Sequence, residues 1–251
     1  MSRFAKKTVL ITGTGGGLGG EAAYQFAKAG ARVYGCDINE ETNQATVETL
    51  KAEGYEMVGS TVDLGDPDAV EKWVSGAAAQ TGNIDVLINN ASAARFMPMD
   101  TISIEDWQYT IRNELDSLFY TSKFSWPFLK KNGGVIINIA SVAAHHGSKA
   151  AGNTAHTATK GAILALTRQL ALEGAAHNVR AVSISPGVVM TPGTAPMLAD
   201  PKIRGMLEQG IPLGRAGQPD DIVSIMMFAA SDAASYWTGS DLVIDGGMTA
   251  G

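Results

Sequence analysis

Residues 8–30 read TVLITGTGGGLGGEAAYQFAKAG. A short apolar run is followed by a glycine-rich loop and then by a helical pattern that closes at Gly30. Glycine lets the backbone turn tightly and approach a pyrophosphate, whose charge the free N–H groups at a helix start can bind. The stretch therefore predicts a strand, a nucleotide-binding loop and a helix. The loop residues concerned are Gly13, Gly15, Gly16, Gly17, Leu18 and Gly19.

The rest of the chain repeats this alternation of short apolar runs and longer helical patterns. Further apolar runs lie at 31–37, 56–63, 86–90, 135–141, 179–187 and 241–247. Continuous apolar strands separated by helices are typical of a parallel sheet that is covered on both faces. We therefore predict an α/β fold, namely a single doubly wound Rossmann-type domain over residues 1–251 with a central parallel sheet of about seven strands.

Composition and charge narrow the classes of function. The chain has 251 residues, is 18% charged and carries a net charge of −6, which argues against nucleic acid or an anionic membrane as its partner. The N-terminal apolar run is too short for a signal peptide or a spanning helix, so we expect a cytoplasmic protein. Cys36 is the single cysteine and the four histidines lack carboxylate-rich surroundings, so we expect no disulfide and no metal.

Asp37 ends the second predicted strand, about twenty residues beyond the glycine loop. A carboxylate at this place can accept hydrogen bonds from both ribose hydroxyls of an adenosine. Its neighbours Cys36, Ile38 and Asn39 include no cation to accept a 2′-phosphate. The sequence therefore predicts NAD rather than NADP as the cofactor. The alternative is that Asp37 only caps the helix that follows it.

The spacing Thr12-Gly13-x-x-x-Gly17-x-Gly19 resembles the glycine motif of the short-chain dehydrogenase/reductase family, and the resemblance covers nearly the whole chain. NNAS (89–92) is similar to the family's Asn-Asn-Ala-Gly segment, with Ser92 in place of the glycine. SPGVVMTP (185–192) is similar to the segment that holds the nicotinamide amide, and DGG (245–247) is also typical. The resemblance implies cofactor contacts at Asp63, Leu64, Asn90, Ala91, Lys160, Pro186, Val189 and Thr191.

The family's catalytic Tyr-x-x-x-Lys motif is altered in this chain. Lys160 falls in place, but His156 stands four positions before it, where the family has tyrosine. The segment between Ser141, which matches the catalytic serine, and His156 is also about two residues longer than usual, so that Thr154 stands at the usual spacing. Because helical spacing to the lysine fixes the alignment better than a loop length does, we take His156 as the counterpart of the tyrosine.

A histidine suits proton transfer at this position. Residues i and i+4 share one helical face, so His156 and Lys160 are expected to point into the same cleft. A free imidazole titrates at about 6.5 and a phenol at about 10, so histidine is a base near neutral pH without help from its surroundings. Lys160, as a like charge, is expected to favour the neutral ring further.

The resemblance implies a role for each candidate catalytic residue. Ser141 stabilises the substrate oxygen, and His156 takes the place of the tyrosine as general acid/base. Lys160 holds the nicotinamide ribose and links the site to a water on the backbone of Asn113, which matches the family's helix asparagine. His145 and His146, in the longer loop, are alternative bases.

The segment 188–218 is rich in glycine, proline and methionine. We predict that it forms a substrate lid with a short helix near 201–209, the alternative being a surface loop. Met side chains there suit an adaptable apolar pocket, with Phe96, Met97 and Met99 on the opposite wall. The sequence leans towards apolar or moderately polar alcohols and ketones as small-molecule substrates. The family's helix interfaces imply a homotetramer, with a dimer as second choice.

Three functions remain open. The first is an NAD-dependent oxidoreductase that moves a hydride between a secondary alcohol and its ketone. The second is a cofactor-binding protein of the same family whose redox activity is lost or altered, in which His156 only fills space. The third is a non-redox lyase or dehalogenase, which usually replaces the nucleotide loop with an anion pocket, whereas the loop of this chain is intact.

Overall fold

The structure is a computed structural model that describes residues 3–148 and 152–251. Its sheet contains β1 (Thr8–Thr12), β2 (Arg32–Asp37), β3 (Met57–Thr61), β4 (Val86–Asn89), β5 (Gly134–Ile139), β6 (Val179–Pro186) and β7 (Asp241–Ile244). All neighbours pair in parallel, in the order β3-β2-β1-β4-β5-β6-β7. This confirms the predicted doubly wound sheet. The chain reverses its direction of winding between β1 and β4, which is where such sheets bind ligands.

Helices cover both faces of the sheet. They are α1 (Gly17–Lys28), α2 (Glu40–Ala52), α3 (Pro67–Thr81), α4 (Ile104–Ile111), α5 (Ser117–Asn132), α6 (Thr154–Gly174), α7 (Ala195–Leu198), α8 (Pro201–Gln209) and α9 (Pro219–Ala229). Local signals fix several of the starts. Asn39 caps α2 through its side chain, Pro67 occupies the first turn of α3, and Ser103 with Asp106 forms a capping box at α4.

Strand β1 lies at the centre of the core. All five of its residues are buried, and alternate side chains enter separate apolar clusters. Val9 and Ile11 pack with Phe26 of α1, whereas Leu10 packs with Trp73 of α3 on the other face. Because each fully buried side chain of this size contributes roughly 1.5–3 kcal/mol, the two layers hold the strand ends rigidly. The cleft above those ends is therefore built on a fixed frame.

The helical stretch from Ile104 to Asn132 is not one continuous α-helix. Between α4 and α5 the chain forms a π-helical segment, Arg112–Asp116. A π turn inserts an extra residue, so it shifts which side chains face inward, and such segments often occur at functional sites. Here the inward-facing residue is Glu114, which is buried. This carboxylate proves central to the site.

The segment 188–218 contains α7 and α8, and the helix predicted near 201–209 is confirmed as α8. Met197 and Met206 on these helices are exposed, and the lid stays a prediction. No helix of the described residues is long and apolar enough to cross a membrane. His145 and His146 lie in the described part of the loop after β5, whereas residues 149–151 of that loop lie outside the described residues.

Candidate active site

The glycine loop forms a cradle that leaves no room for side chains. Gly13 has a φ of +76°, and a Cβ atom there would lie 2.9 Å from Nδ2 of Asn90. A Cβ atom on Gly19 would overlap the carbonyl oxygen of Gly13, so only glycine lets α1 start this close to the turn. The loop therefore presents backbone rather than side chains to the cleft, as binding of a pyrophosphate requires.

A cleft of about 490 Å³ opens above β1 and β4. Most of the predicted cofactor residues line it: Gly13, Gly15, Gly16, Gly17, Leu18, Asp37, Asp63, Leu64, Asn90, Ala91 and Thr191. The lining also includes residues that the sequence analysis did not assign to the cofactor: Ile38, Thr42, Val62, Ser92, Ala93, Asn113, Pro192 and Gly193. The other predicted cofactor residues are buried and do not line it: Gly19, Lys160, Pro186 and Val189. Among the lining residues in the described part of the chain there is neither lysine nor arginine.

Asp37 is held in place by backbone groups. Its Oδ2 accepts a hydrogen bond from the N–H of Gly15 at 2.9 Å, and its Oδ1 accepts one from the N–H of Asn39 at 2.9 Å. The side chain that caps α2 is that of Asn39, so capping does not account for the carboxylate. Asp37 thus joins the glycine loop to the end of β2 and lies on the wall of the cleft.

Asp63 lies further along the same wall. One oxygen accepts a hydrogen bond from Nη2 of Arg112 at 2.7 Å, and the other accepts one from the N–H of Gly65 at 2.9 Å. The hydrogen bond from Arg112 lowers the pKa of Asp63, against the opposing effect of partial burial. The carboxylate therefore remains ionised beside the cleft at neutral pH.

Glu114 is the centre of a buried hydrogen-bond cluster. Its side chain is 0% exposed, and Nδ1 of His156 lies 2.8 Å from one carboxylate oxygen and 3.1 Å from the other. Ser92 donates its hydroxyl to the same carboxylate at 2.5 Å, and Thr159 donates to the second oxygen. Ser92 and His156 are therefore joined through one carboxylate.

Lys160 completes the cluster. Its ammonium group is buried, donates to the carbonyl oxygen of Ile139 at 3.2 Å and lies 3.8 Å from the carboxylate of Glu114. Burial alone would raise the pKa of Glu114, but Lys160 and His156 outweigh it and lower that pKa to about 2. Burial lowers the pKa of Lys160, and Glu114 opposes this effect. Lys160 therefore does not face His156 alone, because the carboxylate of Glu114 lies beside both groups, and the effect of Lys160 on the ring stays a prediction.

Asn113 is not the residue that faces Lys160. Its side-chain amide donates to the carbonyl oxygen of Tyr109, one helical turn earlier, at 2.8 Å. Asn113 lines the cleft, but the contact with Lys160 and His156 comes from its neighbour Glu114. The sequence analysis missed this carboxylate. The signal was present, because Glu114 starts the buried stripe that continues through Leu118 and Thr121, whereas Asn113 is off that stripe.

The other candidate residues lie after β5 and at the start of α6. Ser141 follows β5, and its hydroxyl accepts a hydrogen bond from the N–H of Ala143 at 3.1 Å, in a turn that packs against α6. His145 pairs with Asp241 at 2.8 Å, and Nδ1 of His146 lies 2.9 Å from the carbonyl oxygen of Gly147. Thr154 is the first residue of α6. Of the candidate bases, His156 alone contacts the Glu114 carboxylate within the described residues.

An apolar wall covers the imidazole. The ring of Phe96 lies 5.3 Å from that of His156, centroid to centroid, in an edge-on arrangement. Phe96 is 56% exposed and Met99 is 78% exposed, so both are free to contact a ligand. The backbone of Met97 pairs with that of Asn153 just before α6, which ties this wall to the histidine helix. Apolar surface thus adjoins the partly buried imidazole of His156.

These features together define a nucleotide-dependent oxidoreductase, and comparison with known proteins agrees. The family model described as enoyl-(acyl carrier protein) reductase matches residues 13–249. The chain belongs to the short-chain dehydrogenase/reductase family, whose members bind a nicotinamide cofactor and oxidise alcohols or reduce ketones.

Similar proteins span several substrates and both nicotinamide cofactors. The chain is 38% identical to the 3-oxoacyl-(acyl-carrier-protein) reductase FabG of Chlamydia pneumoniae, over 97% of each chain. It is 31% identical to a 7α-hydroxysteroid dehydrogenase solved with NADH and a 7-oxo bile acid, with a TM-score of 0.92 over 98% of this chain and 95% of the other. A gluconate 5-dehydrogenase from Burkholderia cenocepacia, solved with NADP and tartrate, is 30% identical to this chain. Its TM-score is 0.92, over 99% of this chain and 97% of the other.

Proposed function

We propose that this protein transfers a hydride between NAD(H) and a secondary alcohol or ketone, with His156 as the general acid/base. The observation that carries the proposal is the contact between His156 and the buried carboxylate of Glu114, at the place where the family has its proton-transferring tyrosine. A space-filling side chain has no need of a buried anion, two hydroxyl donors and a buried lysine around it. This argues against a silent site.

Each group has a distinct role in the proposed reaction. When bound, the oxidised nicotinamide supplies the acceptor for the hydride of the carbinol carbon. Nε2 of His156 takes the hydroxyl proton, and Ser141 donates a hydrogen bond to the oxygen as negative charge develops on it. Lys160 supports the nicotinamide ribose, as in the family. The water proposed on the Asn113 backbone stays a prediction, and the cleft that Asn113 lines is its support.

NAD is the proposed cofactor because of Asp37. The carboxylate lines the cleft beside Ile38 and Thr42, without a lysine or arginine among the described lining residues. A 2′-phosphate there would meet a like charge and would lose the hydrogen bonds that a ribose hydroxyl makes. Two relatives differ in the cofactor of their complexes, so the choice rests on Asp37 alone.

Exposed apolar side chains support the proposed substrate and assembly. Phe96 and Met99 are exposed, and so are Met197 and Met206 of the 188–218 segment, the proposed lid, which favours an apolar or moderately polar substrate. Phe119 on α5 and Leu172 on α6 are 47% and 76% exposed, which supports a homotetramer. Light scattering at micromolar concentration tests this assembly, and a monomer contradicts it.

The test of the activity is the change of NADH absorbance with a panel of secondary alcohols and their ketones. Turnover with at least one pair supports the oxidoreductase. Tight binding of NADH without any turnover supports the second function, a cofactor-binding protein with lost redox activity. A lyase or dehalogenase would turn over its substrate without a change in NADH, and the intact glycine cradle argues against it.

A further inference from the structure

We infer that Glu114 is a positioning residue that fixes His156 with its proton on Nδ1, so that Nε2 is the nitrogen presented for proton transfer. The inference rests on the proposed function in one respect: it assigns the orientation of the base that the reaction uses. Glu114 lies one position beyond Asn113, the asparagine that the resemblance suggested. Because Ser92 and His156 both bind its carboxylate, Glu114 also explains why these two residues occur together.

The direction of the hydrogen bond follows from the charge of Glu114. An ionised carboxylate can only accept hydrogen bonds, so the imidazole nitrogen beside it, Nδ1, must carry a proton. In the neutral ring the lone pair then lies on Nε2, which is the atom able to take a proton from an alcohol. The Phe96 ring packs edge-on against the imidazole and limits its rotation.

Glu114 acts as a fixed anion and does not store protons. With a pKa of about 2, only about one carboxyl in 10⁵ is protonated at pH 7. Its two oxygens accept from Ser92, Thr159 and His156, which leaves little freedom to turn. The carboxylate also lies beside the imidazolium that forms when the alcohol loses its proton, and it stabilises that charge.

The charged groups around His156 come from two elements. Glu114 contributes the anion from the π-helical segment, and Lys160 contributes the cation from α6 itself. Phe96, on the loop after β4, brings no charge. A tyrosine base needs the lysine's positive charge to lower its pKa. In this site the carboxylate lies against both groups, so the base takes its orientation and its charge balance from Glu114.

Isotope-labelled histidine ring nitrogens, observed by NMR in the full-length protein, test the inference without any turnover. The signal lost in His156→Gln identifies His156. Well above neutral pH the wild type should show the Nδ1–H form, and Glu114→Gln should show a mixture of both tautomers. A wild type with the proton on Nε2, or a tautomer unchanged by Glu114→Gln, overturns the inference.

Steady-state kinetics of alcohol oxidation provide a second test of the inference. Glu114→Gln should lower kcat for alcohol oxidation by about 10²-fold or more, with little change in the KM for NAD, because the base is misoriented while the nucleotide cradle is intact. Glu105→Gln is the matched control, since Glu105 is an 83% exposed carboxylate on the preceding helix. Full activity of Glu114→Gln overturns the inference. A wild type that keeps the Nδ1–H form but turns over no alcohol contradicts the proposed function and leaves the inference standing.

Discussion

The two sides of the cleft meet their chemical tasks in different ways. On the nucleotide side, formed by residues 13–19 and Asp37, the backbone does the binding, and the shape depends on the absence of side chains. On the other side, the side chains of Ser92, His156, Thr159 and Lys160 share the carboxylate of Glu114, and we propose that this cluster transfers the proton.

The difference shows how each side can vary. A backbone cradle tolerates almost no substitution, because a Cβ atom on Gly13 or Gly19 has no space. A side-chain cluster can change several members together, provided that its buried charges stay balanced. Here His156 and Ser92 both contact the carboxylate of Glu114. The following predictions test whether the two sides are as separate as this comparison implies.

The largest effect is expected for His156→Ala. Removal of the general base should lower kcat for alcohol oxidation by about 10²–10⁴-fold. NADH affinity should stay within a few-fold, because the cradle and Asp37 do not contact His156. Stopped-flow turnover and a fluorescence titration with NADH measure the two quantities. Near-wild-type kcat would move the base elsewhere, and a collapse of NADH affinity would refute the separation of the two sides.

The second effect concerns stability towards acid. The pKa of Glu114 falls from 4.5 to about 2 on folding, which corresponds to about 3 kcal/mol of stability at neutral pH. Because the folded pKa is depressed, this stability is present above about 4.5 and is lost as the pH falls towards 2.

Glu114→Gln should therefore be about 3 kcal/mol less stable than the wild type at pH 7 and should lose less stability as the pH falls. Urea unfolding at a series of pH values measures both. Glu105→Gln, which removes an exposed carboxylate, should follow the wild-type curve. Parallel curves for Glu114→Gln and the wild type would show that the carboxylate is not the anion described.

The two sides also differ in how much of their structure the sequence predicts. The strands, the glycine cradle and Asp37 follow from local patterns, because each depends on residues close together in the chain. The burial of Glu114 follows from a local stripe, but its partners do not, since they lie 22 to 46 positions away and the π turn shifts the helix phase. The pairing of His145 with Asp241 spans 96 positions and is equally invisible to a local pattern.

A smaller effect is expected for Asp37→Ala on the nucleotide side. The wild type should bind NAD(H) more tightly than NADP(H), and the variant should narrow the difference by about tenfold, since hydrogen bonds to a charged group contribute about 1.5–3 kcal/mol. Titration of both reduced cofactors measures it, with Asp66→Ala as a matched control, because that carboxylate only caps α3. Equal affinities in the wild type would rule out the choice of NAD.

The smallest effect is expected between two variants that carry a tyrosine at position 156, and it tests the mechanism most directly. A phenol at position 156 would lie against the carboxylate of Glu114, and a carboxylate that accepts a phenol's hydrogen bond raises the phenol's pKa. The molecule contains such a pair, because the hydrogen bond to Glu53 raises the pKa of Tyr24 to about 12. The tyrosine of His156→Tyr should therefore be a poor base near neutral pH.

The double variant His156→Tyr/Glu114→Asn removes that carboxylate and leaves Lys160 to act on the phenol. It should oxidise alcohols several-fold faster than His156→Tyr. The pH at which its oxidation rate falls on the acid side should lie below that of His156→Tyr, because the carboxylate is gone. It should lie above that of the wild type, because a free phenol titrates at about 10 and a free imidazole at about 6.5. Rate profiles over pH for the three proteins measure this order. If the single variant equals the double one, Glu114 does not act on residue 156, and the histidine and glutamate are independent substitutions. If the three rate profiles follow the expected order, then Glu114, which contacts residue 156 from the π-helical segment, determines whether histidine or tyrosine works as the base there.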